Sequence, residues 1–209
     1  MKLKAGILRK RLIIFSVIIL ISGLIAFSYY FFYFEVPIER WDQIKPISSN
    51  EYFLKKDGKN LIIESQIAGI SFKVPYGFRV EKDEDRGYIS LLSEQAQGGL
   101  FLTSGCRIIV ETKFLKTSLG SIREVLENTH KAWPSKNEYS FLKINGISAL
   151  LNTTQMPDLK QFGIGVHLPL RKVFKSKLYY FGLSSPFSEK QECEDIFREF
   201  LKTIFIYNL

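Results

Sequence analysis

The chain has 209 residues, enough for one globular domain, and its 46% hydrophobic content with 18 Phe and 10 Tyr excludes a wholly disordered protein. Its formal charge of +8 invites a nucleic-acid reading, yet five of the 29 cations, Lys2, Lys4, Arg9, Lys10 and Arg11, stand ahead of Leu12 with no acid among them. Beyond them 24 basic side chains face 21 acidic ones, so the excess belongs to a tail and no nucleic acid is expected as a partner.

From Leu12 to Phe34 the chain runs without a charge. As a helix this run would rise about 34 Å, enough to cross a hydrocarbon core of ~30 Å. It predicts one N-terminal transmembrane helix over 12–34, with the ring-rich Tyr29 to Phe34 at a headgroup interface. The cations of residues 1–11 make a cytoplasmic basic tail, because such residues hold their end of a span inside. The lipid bilayer is then one expected partner, and the expected location is the plasma (inner) membrane, single-pass, with the C-terminal domain extracytoplasmic. A cleaved signal peptide is the rival, with Ala26-Phe27-Ser28 as its small-x-small site, but its apolar core normally spans only about 7 to 15 residues. No Cys near the end of the run supports lipid modification, and no acid within it supports a pilin-like subunit.

Residues 35–60 are mixed, with Pro37, Pro46 and the turn signal Lys55-Lys56-Asp57-Gly58-Lys59, and predict a juxtamembrane linker ahead of a domain over 61–209. Ile70-Ser71-Phe72-Lys73-Val74 alternates as a strand and stops at Pro75. Tyr88 to Leu92 is a second strand, and Cys106 to Phe114 a third, with Cys106, Ile108 and Val110 on its apolar face. Ser121-Ile122-Arg123-Glu124 has capping-box spacing for a helix whose stripe is Ile122, Val125, Leu126, Thr129 and Trp133, closed by Pro134. Asn145-Gly146 between Tyr139–Ile144 and Ile147–Asn152 is a strong hairpin signal. Ile164 to Leu170 alternates, Lys177 to Leu183 follows as its antiparallel neighbour, and a last helix begins near Ser188 with Cys193, Ile196, Phe197, Phe200, Leu201 and Ile204 as its stripe. The order predicts an α+β fold: an antiparallel sheet of about six strands packed by two amphipathic helices.

The strand Ile70 to Val74 with its Pro75-Tyr76-Gly77-Phe78 turn, the strand from Cys106, the helix after Ser121, the Asn145-Gly146 hairpin and the closing Phe200-Leu201-Lys202-Thr203-Ile204-Phe205 together resemble the PsbP/Mog1-like group over about residues 61–207. The resemblance implies an antiparallel sheet between helices, an accessory or interaction domain, and no catalytic residue to carry over. With the expected anchor, a protein partner in the cell envelope is a further expectation.

Two cysteines outside the cytoplasm invite a bridge, and Cys106 and Cys193 both lie on stripes facing one core. Two separate buried thiols remain open as the alternative. Thr103-Ser104-Gly105-Cys106-Arg107 also resembles the cysteine segment of L,D-transpeptidases and sortases, which would make Cys106 the nucleophile of a membrane-tethered cell-wall enzyme. Against this, Ser104 stands where the first family has His, and His130 and His167 both follow the cysteine rather than precede it as in sortases. His167 alternates with Val166 and Leu168 and should face away from Cys106, and both histidines read as surface or rim residues. Two separated histidines do not make a zinc site, Gly163-x-Gly165 inside a strand is no dinucleotide fingerprint, and Asp83-Glu84-Asp85 is a solvated turn. Asn152-Thr153-Thr154 matches a glycosylation sequon, and Tyr179, Tyr180 and Phe181 read as sheet packing. The resulting expectation is a non-catalytic binding or accessory module without a cofactor or metal, its alternatives being the cysteine enzyme and a structural component of an envelope complex.

Overall fold

The computed structural model describes residues 15–26, 35–99, 101–131, 135–172 and 175–207. The chain divides into two compact units, Met1–Glu35 and Val36–Leu209. In the first, residues 15–26 are helical (α1) with exposed side chains. Both flanks of the expected 12–34 span lie outside the described residues, and among the described residues no helix is long and apolar enough to cross a membrane.

The second unit is built on a seven-stranded antiparallel sheet. It contains β4 (Phe78–Asp83), β5 (Tyr88–Ser93), β8 (Arg107–Lys113), β9 (Lys136–Ile144), β10 (Ile147–Met156), β11 (Gln161–Leu170) and β12 (Lys177–Pro186), in the order β4-β5-β8-β12-β11-β10-β9. A four-stranded sheet joins β1 (Phe53–Asp57), β2 (Asn60–Ser65), β3 (Ile70–Lys73) and β13 (Phe205–Ile206), and β6 (Gln97–Gly98) with β7 (Leu102–Ser104) forms a small ribbon. Two helices complete the unit, α2 (Leu119–His130) and α3 (Lys190–Lys202).

The large sheet is covered on both faces, which divides its alternating side chains between two cores. On one face Ile108, Val110, Phe162, Ile164, Val166, Phe181 and Leu183 pack with Phe72 and Ile63 of the small sheet and with Phe197 and Phe200 of α3. Phe200 meets Phe72 edge-on at 5.5 Å between ring centroids, an arrangement worth about 0.5–1.5 kcal/mol beyond burial alone. On the other face Leu150 and Leu178 pack with Ile122 of α2, Leu115 and Trp41 in a smaller cluster. Cys106 and Cys193 are disulfide-bonded inside the first core and tie the start of β8 to α3.

Several local expectations hold. Asn145 and Gly146 both take positive φ, 50° and 77°, and turn β9 into β10. Strands β11 and β12 pair along their whole length, Gln161 opposite Pro186 through Leu170 opposite Lys177. Others are corrected. The sheets hold more than six strands, because strands at 53–57, 78–83 and 205–206 lack a clean local alternation. Residues 35–60 are no linker: Ile47, Ser49 and Tyr52 are buried, the Tyr52 hydroxyl donates to Thr112 Oγ1 at 3.0 Å, and β1 pairs with β2. Helix α2 begins a turn before the expected box, with Ser118 Oγ accepting from the Ser121 N–H at 3.2 Å. Ser188 caps nothing; a short 3-10 turn, Phe187–Glu189, leads into α3, and the Glu189 carboxylate accepts from the Gly105 N–H at 2.7 Å. The expected closure of α2 by Trp133 and Pro134 lies outside the described residues.

Candidate ligand cavity

The register of the central strands sets three rungs on the α2 side of the large sheet. One runs Leu150, His167, Tyr180, Glu111; the next Asn152, Gly165, Gly182, Ile109; the third Thr154, Gly163, Ser184, Arg107. In the second and third rungs the two middle strands contribute only Gly165, Gly182, Gly163 and Ser184. Glycine weakens a strand and leaves no side chain to pack, and here four small residues in a two-by-two block leave a depression where a core would otherwise be filled. The result is a cavity of about 590 Å³ between α2 and the sheet. Ile122, Val125 and Leu126 of α2 line it together with Trp41, Leu178 and Met156.

Side chains stand over two of the glycines. A Cβ at Gly165 would fall 2.3 Å from Asn152 Oδ1, and one at Gly182 would fall 2.4 Å from the Tyr180 hydroxyl, so a side chain at either position would have to displace the polar group above it. Gly163 differs, for its nearest neighbour would be Leu183 O at 3.4 Å.

A polar network edges the cavity. His167 Nε2 lies 3.1 Å from Asn152 Oδ1, Asn152 Nδ2 points to Thr154 Oγ1 at 3.4 Å, and Thr154 Oγ1 donates to Asn137 Oδ1 at 2.9 Å. Since an amide oxygen only accepts, Nε2 carries the proton and Nδ1 of the neutral ring is an acceptor. Burial, with His130 nearby adding to it, holds the His167 pKa down to about 4, so the ring is neutral near pH 7. The His167 ring tilts against that of Tyr180 at 4.9 Å between centroids, and burial beside Glu111 pushes the Tyr180 phenol up to about 12. His130, in the last turn of α2, meets the Tyr139 hydroxyl at 2.8 Å through Nδ1, and burial lowers its pKa too. Ser184 Oγ is buried without a hydrogen-bond partner among the described residues.

The residues weighed for nucleophilic chemistry are not brought together. Cys106 is 3% exposed, bonded to Cys193 and on the core side of the sheet, whereas His167 lies on the α2 side. His167 faces away from Cys106 as its alternation implies, but it is no surface residue, because α2 covers a second face that a one-core sheet would leave open. Tyr179 and Phe181 are core packing, while Tyr180 belongs to the cavity. Asn152, the sequon residue, is 6% exposed and engaged with His167. Among the described residues no group of three or more His, Cys, Asp or Glu side chains stands close enough to hold a metal ion. Sequence reasoning passed over Gly163 and Gly165 as no dinucleotide fingerprint. Their spacing of two within a strand, with Gly182 in its neighbour, was the available signal for a backbone left bare on one face.

No protein-family model matches the chain, and no curated protein matches it. Solved structures do. LpqN of Mycobacterium tuberculosis, described as involved in cell envelope biogenesis, aligns with TM-score 0.52 at 14% identity over 65% of this chain and 81% of that one. The cyanobacterial PsbP (CyanoP) of Synechocystis aligns with TM-score 0.53 at 10% identity over 73% of this chain and 98% of that one. The Ran-binding protein Mog1p of Saccharomyces cerevisiae aligns at TM-score 0.44 and 16% identity over 72% of this chain and 96% of that one. At these identities the likeness is one of fold: the chain shares the α+β architecture of CyanoP and LpqN.

Proposed function

We propose that Val36–Leu209 is a non-catalytic binding module whose ligand occupies the cavity between α2 and the large sheet, and that the Leu12 to Phe34 run anchors it to a membrane with the module outside the cytoplasm. The cavity carries the reading of the module. Its volume falls in the range of about 300–1,000 Å³ typical of small-molecule sites, and its lining joins an apolar helix face to a few convergent polar groups. A chain free of purpose there would gain stability from larger apolar side chains at Gly163 and Ser184. The anchor rests on the uncharged run and the cations before it. An extracytoplasmic site accords with the Cys106–Cys193 bridge, since disulfides persist mainly in oxidising compartments, and with the part that LpqN, of like fold, plays in envelope biogenesis. The open edge of the small sheet, β1, is where a protein partner would add a strand. Lys55, Lys56 and Asp57 give it the charges by which edge strands resist pairing, so the ligand reading is preferred.

The test is photolabelling of the full chain in lipid nanodiscs with the small apolar probe 3-trifluoromethyl-3-phenyldiazirine, the adducts mapped by peptide mass spectrometry. Adducts on Ile122 to Leu126 and Leu178 to Ser184, lost in Gly163→Leu, are expected. Equal labelling of wild type and variant at those peptides would end the proposal.

A further inference from the structure

The cavity selects by charge as well as by shape. Among the described residues lining it Glu111 and Lys113 are the only acidic or basic side chains besides the two histidines, and they pair with each other at 3.3 Å on β8. Neither is spare to meet a ligand's charge, and Arg107, beside Ser184 on the third rung, is not among the lining residues and donates from its guanidinium to Gly99 O at 2.8 Å. Both histidines are neutral at that pH, since burial lowers each pKa. A carboxylate or phosphate placed among Ile122, Leu126 and Leu178 would lose its hydration without a counter-ion, a cost that uncharged polar groups avoid when hydrogen-bonded.

The polar groups that are present suit a neutral partner. Tyr180 holds its hydroxyl directly above Gly182, and Ser184 Oγ, one rung further along, is buried with no partner among the described residues. His167 is committed at Nε2 to Asn152 and offers an acceptor at Nδ1. Hydroxyls that donate or accept, beside an acceptor nitrogen, fit a hydroxyl or carbonyl. Buried polar atoms left without partners cost about 1–3 kcal/mol each, and a ligand that satisfies them recovers that cost.

We propose that the cavity takes an uncharged amphipathic molecule of about twenty non-hydrogen atoms, counting roughly 30 Å³ for each, whose hydroxyl or carbonyl end bonds to Tyr180 and Ser184 while its apolar body lies against Ile122, Val125 and Leu126. This rests on the assignment of the cavity as the binding site and adds the class of ligand.

Two photoprobes of one chain length separate the claims: a diazirine-bearing monoacylglycerol and the corresponding diazirine-bearing fatty acid, each applied at pH 7.5 to the full chain in nanodiscs. The neutral probe is expected to label the peptides around Ile122 and Tyr180 at least about fivefold more than the anionic one. Tyr180→Phe and, independently, Ser184→Ala should each lower neutral-probe labelling about fivefold, the equivalent of one ordinary hydrogen bond. Urea midpoints close to wild type would show that the variants are folded, and if one variant is not, the other decides. Equal or stronger labelling by the fatty acid overturns the charge selection while leaving the cavity as a binding site. Full neutral-probe labelling in both folded variants overturns the assignment of the polar end. If neither probe reaches those peptides although the apolar diazirine does, the amphipathic class is wrong; if that diazirine fails as well, the binding module itself falls.

Discussion

Filling the depression at its one tolerant position separates a cavity kept for a ligand from one that is a packing defect. Gly163 has no positive φ, and a Cβ there would meet Leu183 O at 3.4 Å, an ordinary contact, so Gly163→Leu needs no backbone movement. The four added carbons occupy roughly 120 Å³ at about 30 Å³ each, a fifth of the 590 Å³ available. Full burial of a leucine side chain is worth about 1.5–3 kcal/mol; taking half of that for a cavity open on one side gives about 1 kcal/mol. Removing glycine from a strand interior adds about 0.5–1 kcal/mol. The variant should therefore be more stable by about 1.5–2 kcal/mol, a rise in Tm of about 4–7 °C at this domain size. Differential scanning calorimetry of the ligand-free protein reads the first quantity, and nanodisc photolabelling reads the loss of ligand capacity. Gain of stability with loss of binding is the expected pair. A lower Tm would refute the reasoning, for it would mean the space above Gly163 is not there to be filled.

Cys106→Ser and Cys193→Ser should behave alike, each lowering the urea-derived stability by about 4 to 5 kcal/mol on the chain-entropy estimate for a loop of 87 residues; unequal losses would point to a separate role for one sulfur. His167, held near 4 in the folded state against about 6.5 unfolded, binds fewer protons folded than unfolded between those values. Its contribution is full above pH 6.5 and is lost as pH falls toward 4, by about 3 kcal/mol in all. His167→Gln should flatten that part of the profile when urea midpoints are compared at pH 7.5 and 4.5, and an unchanged slope would contradict the assigned burial. Gly105→Ala should cost at least about 2–3 kcal/mol, because a Cβ there would fall 2.6 Å from Ala96 N with φ at 76°; a near-neutral change in thermal melting would show that the Ala96 turn yields easily.

Local chemistry was legible where one residue or one short period decides the backbone. Asn145-Gly146 needed positive φ at both places and has it, and the alternation from Ile164 to Leu170 put Val166 in the core and His167 on the other side. The Cys106–Cys193 pairing followed from two stripes that share a core, though the sequence left free thiols open. What escaped depends on partners distant in sequence. Strand β1 is the charged FLKKD, exposed at every residue, and exists because β2 pairs with it. Tyr52 is buried because Thr112 waits for its hydroxyl. The cavity was hidden for the same reason: Gly163 and Gly165 become a floor only when Gly182 and Ser184 lie opposite and α2 crosses above, and no window of sequence contains that register.

The small sheet closes on the last described residues: β13 pairs with β3, Thr203 Oγ1 accepts from the Lys73 N–H at 3.1 Å, and the Tyr207 hydroxyl donates to Ser65 O at 2.9 Å. During synthesis this imposes an order of events. Strands β1 to β3 emerge early and must wait, apolar side exposed, until more than a hundred further residues have appeared. Cys106 must likewise stay reduced and unpaired until Cys193 arrives 87 residues later. Until β13 and Cys193 have emerged, the nascent unit stays exposed to aggregation and to mispaired thiols.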